Sequence, residues 1–98
     1  ARKDDMIKSR GEKVSPKEVE DVLYSIAGVV QAAVIGVPDP ILGEAIKAFI
    51  VLEGVTWTEK DILRHCRERL EDFMVPQYIE FRESLPINNG KIVKKALR

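Results

Sequence analysis

Val29-Val30-Gln31-Ala32-Ala33-Val34-Ile35-Gly36-Val37, Pro38-Asp39-Pro40 and Ala45-Ile46-Lys47-Ala48-Phe49-Ile50-Val51-Leu52 form the stretch on which the architecture turns. The first run is rich in β-branched and small apolar residues, which suit an extended strand. The two prolines around Asp39 predict a turn. In the second run Ile46, Ala48, Ile50 and Leu52 point one way, and Ala45, Lys47, Phe49 and Val51 the other. Both faces are largely apolar, so this strand is expected at the centre of a sheet. The short connection predicts antiparallel pairing.

Upstream, Ser15-Pro16-Lys17-Glu18 reads as a capping box with proline at the first helical position. Val14 and Val19 are placed to staple the helix entry. Val19, Val22, Leu23 and Ile26 share one face, and Gly28 stops the helix, which spans about residues 16–27. Before it, Met6-Ile7-Lys8-Ser9 and Glu12-Lys13-Val14 flank Gly11 as a small hairpin. Downstream, Thr58 and Asp61 are cap candidates for a second helix, with Trp57 and Ile62 as staple and Ile62, Leu63, Cys66 and Leu70 as its apolar face. Tyr78-Ile79-Glu80-Phe81-Arg82 alternates as a third strand. The expected fold is α+β: a small sheet of about three strands, mainly antiparallel, packed with two main helices, plus a short N-terminal hairpin.

At 98 residues the chain reads as one domain. Its 16 basic and 16 acidic residues cancel, which argues against bulk attraction to nucleic acid or acidic membranes. Lys91, Lys94, Lys95 and Arg98 form a basic end, but no aromatic stripe accompanies it for stacking on bases. Cys66 is the only cysteine, so no internal disulfide can form, and a reducing, cytoplasmic setting is expected. Its place on the apolar side of a helix predicts a buried, inert thiol. His65 is the only histidine, and no Cys/His cluster predicts a metal site. There is no signal peptide, membrane span or repeat in these residues. The opening Ala1-Arg2-Lys3 suggests a piece of something longer.

No nucleophile–base pair and no phosphate-binding glycine loop is visible. What stands out is Leu85-Pro86-Ile87-Asn88-Asn89-Gly90-Lys91-Ile92. It sets one lysine directly after a glycine, with Leu85 and Ile92 as apolar anchors for the loop. A protonated lysine about 4 Å from an anion gains about 4 kcal/mol at an effective dielectric of about 20. Aimed at charge that develops during a reaction, it accelerates that reaction without any partner residue.

Three segments together carry a family resemblance: Arg2 through Glu20, Ala33 through Glu44, and Leu85 through Arg98. In this order, and over nearly the whole chain, they resemble the small C-terminal domain of AMP-forming acyl-CoA synthetases. That superfamily also contains nonribosomal peptide adenylation domains and luciferases. The resemblance implies a ligase that makes an acyl-adenylate from a carboxylic acid and ATP, then passes the acyl group to a thiol. It implies that the domain is a mobile lid that rotates between the steps against its own N-terminal domain. Lys91 matches the adenylation lysine, and Asp4 the hinge residue. Arg2 and Lys13 match basic nucleotide contacts, and Gly11 the glycine beside the pantetheine channel. ATP and coenzyme A are the implied substrates, and Mg2+ is expected on the larger N-terminal domain. Ser15-Pro16-Lys17-Glu18 resembles the acyl-CoA synthetase form of its segment, which favours coenzyme A as the thiol. Ile87, Asn88 and Asn89 depart from the common pattern ahead of the lysine, and Ala1 stands where a glycine is common. Two other readings stay open: a freestanding interaction module with this fold, and the lid of a peptide-synthetase adenylation domain.

Overall fold

The computed structural model describes residues 6–97. The elements in chain order are β1 (Ile7–Ser9), β2 (Glu12–Val14), α1 (Pro16–Tyr24), β3 (Val29–Asp39), β4 (Gly43–Leu52), α2 (Glu59–Arg69), β5 (Tyr78–Phe81), β6 (Ile87–Asn88) and β7 (Lys91–Ile92). Single 3-10 turns occupy Asp72–Met74 and Lys94–Leu97.

The strand pair expected from residues 29–52 forms the centre of the molecule. β3 and β4 are antiparallel, with Ala32 opposite Ile50 and Val34 opposite Ala48. β3 runs two residues further than its composition suggested, because Pro38 and Asp39 still pair with Glu44 and Gly43. A proline is tolerated there because β3 lies at the sheet edge, where a missing N–H breaks no inner ladder. The turn is Pro40–Leu42, with Asp39 Oδ1 accepting from the N–H groups of Ile41 (2.9 Å) and Leu42 (2.8 Å). Those two donors hold the Asp39 carboxyl below its usual pKa.

The sheet has five strands, not about three. The N-terminal hairpin is not an appendage: β1 pairs antiparallel with β4 at Ser9–Gly43, and Arg10 N–H donates to the Leu42 carbonyl at 2.9 Å. Burial of Ile7 and Val14 drives this docking. β5 joins the same side of β4 further along, parallel to it, with Ala48 opposite Ile79. A parallel partner needs a crossover, and α2 supplies it. β6 and β7 form a separate two-stranded hairpin off the sheet.

α1 begins as its sequence predicts, with Ser15 Oγ accepting from Glu18 N–H at 3.4 Å. The cap is one-sided, and the helix closes at Ser25, earlier than residue 27. In α2 the capping box is reciprocal: Asp61 N–H donates to Thr58 Oγ1 (3.2 Å) and Thr58 N–H to Asp61 Oδ2 (2.9 Å). That bond to the Thr58 backbone lowers the pKa of Asp61.

Two apolar layers sandwich β4, which accounts for its apolar character on both faces. On one side Ala32, Val34, Ile46, Ala48 and Ile50 pack with Val19 and Leu23 of α1 and Ile62 and Cys66 of α2. Burial raises the Cys66 thiol to about 11, as expected of an inert core cysteine. On the other side no helix is used. Ala33, Ile35, Phe49 and Val51 are covered by Leu85, Ile92 and Leu97 from the last fourteen residues. Side chains take two donors on the outer rim of β3: Tyr24 Oη accepts from Ala32 N–H (3.0 Å), and Glu20 Oε2 from Val34 N–H (2.9 Å).

Candidate functional site

Lys91 stands at the start of β7, directly after a tight turn made by Asn89 (φ 52°) and Gly90 (φ 77°). Positive φ at both central residues is the geometry whose twist matches an antiparallel pair, and Asn-Gly is its preferred sequence. Asn88 and Lys91 face each other, as do Ile87 and Ile92. Lys91 is exposed and makes no ion pair among the described residues. The side chain is therefore free to project outward. Leu85 is buried and Ile92 packs beside it, so both expected anchors do hold the loop ends.

The anchoring goes further than sequence reasoning found. Leu85 N–H donates to Gln31 Oε1 at 3.1 Å, and Val93 N–H to the Pro86 carbonyl at 2.8 Å. Beyond Lys91 the chain turns through Lys94–Leu97 and buries Leu97. Lys94 Nζ lies 2.8 Å from Glu20 Oε2, the oxygen that also takes Val34 N–H. Nothing local marks Glu20 or Gln31 in the sequence, because their partners are 74 and 54 positions away. The Asn89-Gly90 pair between Ile87 and Ile92 was the available signal for the hairpin itself.

Gly11 occupies the matching place in the other hairpin. Arg10 (φ 56°) and Gly11 (φ 79°) make its turn, and both are exposed. A Cβ added at Gly11 would meet nothing within 4 Å. Inside this fold the glycine is needed for its backbone angle and not for room. Lys13 is exposed on β2 and sits directly opposite Lys8. Like charges so placed repel. Asp4 and Arg2 lie outside the described residues.

Next to the Lys91 hairpin, Phe49 is fully buried with Lys47 Nζ 4.9 Å and Arg82 Cζ 4.8 Å from its ring centre. Glu80 bridges the two cations, at 2.6 Å from Arg82 and 3.0 Å from Lys47. Hydrogen bonds from Arg82, then Lys47, hold its carboxyl below the usual range. A cleft of about 220 Å³ lies between the end of α1 and α2, lined in part by Ser25, Trp57 and His65. Ser25 Oγ approaches His65 Nε2 at 2.9 Å, but its own proton goes to the Val22 carbonyl at 2.5 Å. With that proton committed, His65 is the donor, and the serine is a helix-end link and not a nucleophile. Partial burial, then the Arg69 charge, lowers the His65 pKa. Among the described residues no group of three or more His, Cys, Asp or Glu is placed to hold a metal ion. No helix among them is long and apolar enough to cross a membrane.

The family model for the AMP-binding enzyme C-terminal domain matches residues 18–91. The chain is 45% identical over 98 residues to a long-chain-fatty-acid–CoA ligase of Yersinia pestis, covering 99% of this chain and 17% of that protein. It is 46% identical over 99 residues to a crotonobetaine/carnitine–CoA ligase of Salmonella arizonae, covering 99% and 19%. Among solved structures, ATP-bound MatB from Rhodopseudomonas palustris superposes with a TM-score of 0.94 at 36% identity, covering 100% of this chain and 20% of that one. The chain thus spans about a fifth or less of the length of the relatives it matches.

Proposed function

Since the chain belongs to the AMP-binding enzyme C-terminal domain family and is homologous to acyl-CoA ligases, we propose that it is the mobile lid of an AMP-forming acid–thiol ligase. In the first half-reaction a carboxylate oxygen of the acid attacks the α-phosphorus of ATP, and pyrophosphate leaves. In the second, the sulfur of coenzyme A attacks the acyl carbonyl, and AMP leaves. Lys91 brings its charge to the carboxylate and α-phosphate oxygens as they gain negative character in the first step. Rotation about Asp4 then withdraws Lys91 and presents the Gly11 hairpin, whose bare tip borders the pantetheine arm. Lys13 and Arg2 contact nucleotide phosphates. Magnesium is proposed for the larger N-terminal domain, and the setting is proposed to be cytoplasmic.

The observation that carries this reading is the position of Lys91: outward-facing, unpaired among the described residues, on a hairpin clamped to a buried apolar layer. The nature of the acid does not enter, since two relatives of similar identity are named for different acids. The test is to replace Lys91 with alanine in the full-length ligase and assay the half-reactions separately. Pyrophosphate exchange is expected to fall by about 10²–10³-fold, while thioester formation from supplied acyl-adenylate persists. Equal losses in both would reject the reading.

A further inference from the structure

We infer that Glu20 is a positioning residue for Lys91, acting through Lys94. This rests on the proposed role of Lys91 and adds the device that sets where its charge stands.

The β6–β7 hairpin has only two residues per strand and no ladder to the main sheet. Its apolar anchors, Leu85, Ile92 and Leu97, fix which face it lies on. Apolar contact is non-directional, so it does not fix how far the hairpin slides or tilts along that face. Directional bonds are needed for that. Just before the hairpin, Leu85 N–H donates to Gln31 Oε1 at 3.1 Å. After it, among the described residues, Lys94 Nζ bonds Glu20 Oε2 at 2.8 Å.

The second carries charge. Glu20 is only 17% exposed, and the same oxygen receives Val34 N–H at 2.9 Å. The carboxylate is thereby fixed to the rim of β3 before Lys94 reaches it. Lys94 is three residues beyond Lys91, so a shift at one is felt at the other. α1, which carries Glu20, packs on the opposite face of the sheet. The ion pair therefore crosses the rim and ties the hairpin to the helical layer. A displacement of about 1 Å at a reacting centre costs up to about 10²-fold in rate.

The test uses the full-length ligase with Glu20→Gln, Lys94→Met and Lys94→Arg, each also in a Lys91→Ala background. Glu20→Gln keeps an acceptor for Val34 N–H and removes only the charge. Pyrophosphate exchange is expected to fall about tenfold in Glu20→Gln and Lys94→Met, with thioester formation within about twofold of the parent. Lys94→Arg, which keeps charge and reach, retains most of the exchange activity. In the Lys91→Ala background neither Glu20→Gln nor Lys94→Met causes further loss, because there is no longer a charge to place. Unchanged exchange, equal losses in both half-reactions, or undiminished losses in the Lys91→Ala background would each overturn the inference. If Lys91→Ala alone leaves exchange intact, the proposed function falls and takes this inference with it. If Lys91→Ala depresses exchange and Lys94→Met does not, only the inference falls.

Discussion

The Gly11 and Gly90 hairpins share one turn geometry and differ in everything that holds them. Each has two central residues at positive φ, and each shows an open tip where an added Cβ meets nothing within 4 Å. The first is part of the sheet, bonded to β4 at Ser9–Gly43 and to Leu42 through Arg10. Its backbone is secured so well that an arginine occupies a left-handed position, which costs a side-chain-bearing residue about 1–2 kcal/mol. The second stands off the sheet and has Asn89, a residue suited to that angle, in the equivalent place. Where tertiary bonds fix a turn, its sequence is free to be unfavourable. Where they hold only the flanks of a turn, as at Leu85 and Lys94, the turn itself must be right.

The contrast can be broken at the anchors first. Ile7 is buried in the main core and ties the Gly11 hairpin down; Ile92 is half-buried under the Lys91 hairpin. Replacing Ile7 with alanine is expected to cost about 2–5 kcal/mol of stability in chemical denaturation. Ile92→Ala should cost distinctly less, since it has less surface to lose from shelter. Equal costs would show that the two hairpins are anchored alike.

Gly11→Leu sharpens the comparison next. The fold has room for the side chain, so the expected stability loss is confined to backbone strain of about 1–2 kcal/mol. Thioester formation in the full-length ligase should nevertheless fall by about 10²-fold, with pyrophosphate exchange retained, because the obstruction is to a substrate arm outside the domain. This is the mirror image of Lys91→Ala. Loss of both half-reactions would assign Gly11 a purely structural role.

The smallest effect is electrostatic. Lys8→Gln removes the repulsion across the first hairpin, and stability at low salt should rise by a few tenths of a kcal/mol. The gain should vanish as added salt screens the pair. A gain that survives high salt would point to packing and not charge.

What the sequence shows of this molecule follows the range of the forces involved. The helix caps, the central strand pair and the anchors Leu85 and Ile92 are legible because they depend on neighbours a few positions apart or on plain apolar periodicity. The docking of three-residue β1 and β2 onto β4 is not, since strands so short carry no periodic signal. The parallel placement of β5 depends on where α2 returns the chain. The Glu20–Lys94 tie is hidden for the same reason: each partner taken alone is an ordinary charged surface residue. Lys91 stands out from its glycine and apolar anchors, its role and that of Gly11 come from resemblance, and the structure adds how each is presented.

Tyr24 and Glu20 occupy the outward N–H groups of Ala32 and Val34 along the border of β3. Each donor taken in this way makes the border a poorer template for a foreign strand to extend. Hydrogen exchange at those two amides should accordingly be as slow as in the interior ladder. For a unit proposed to swing through solvent on every turnover, a flank with fewer free donors is less able to stick to the next molecule it meets.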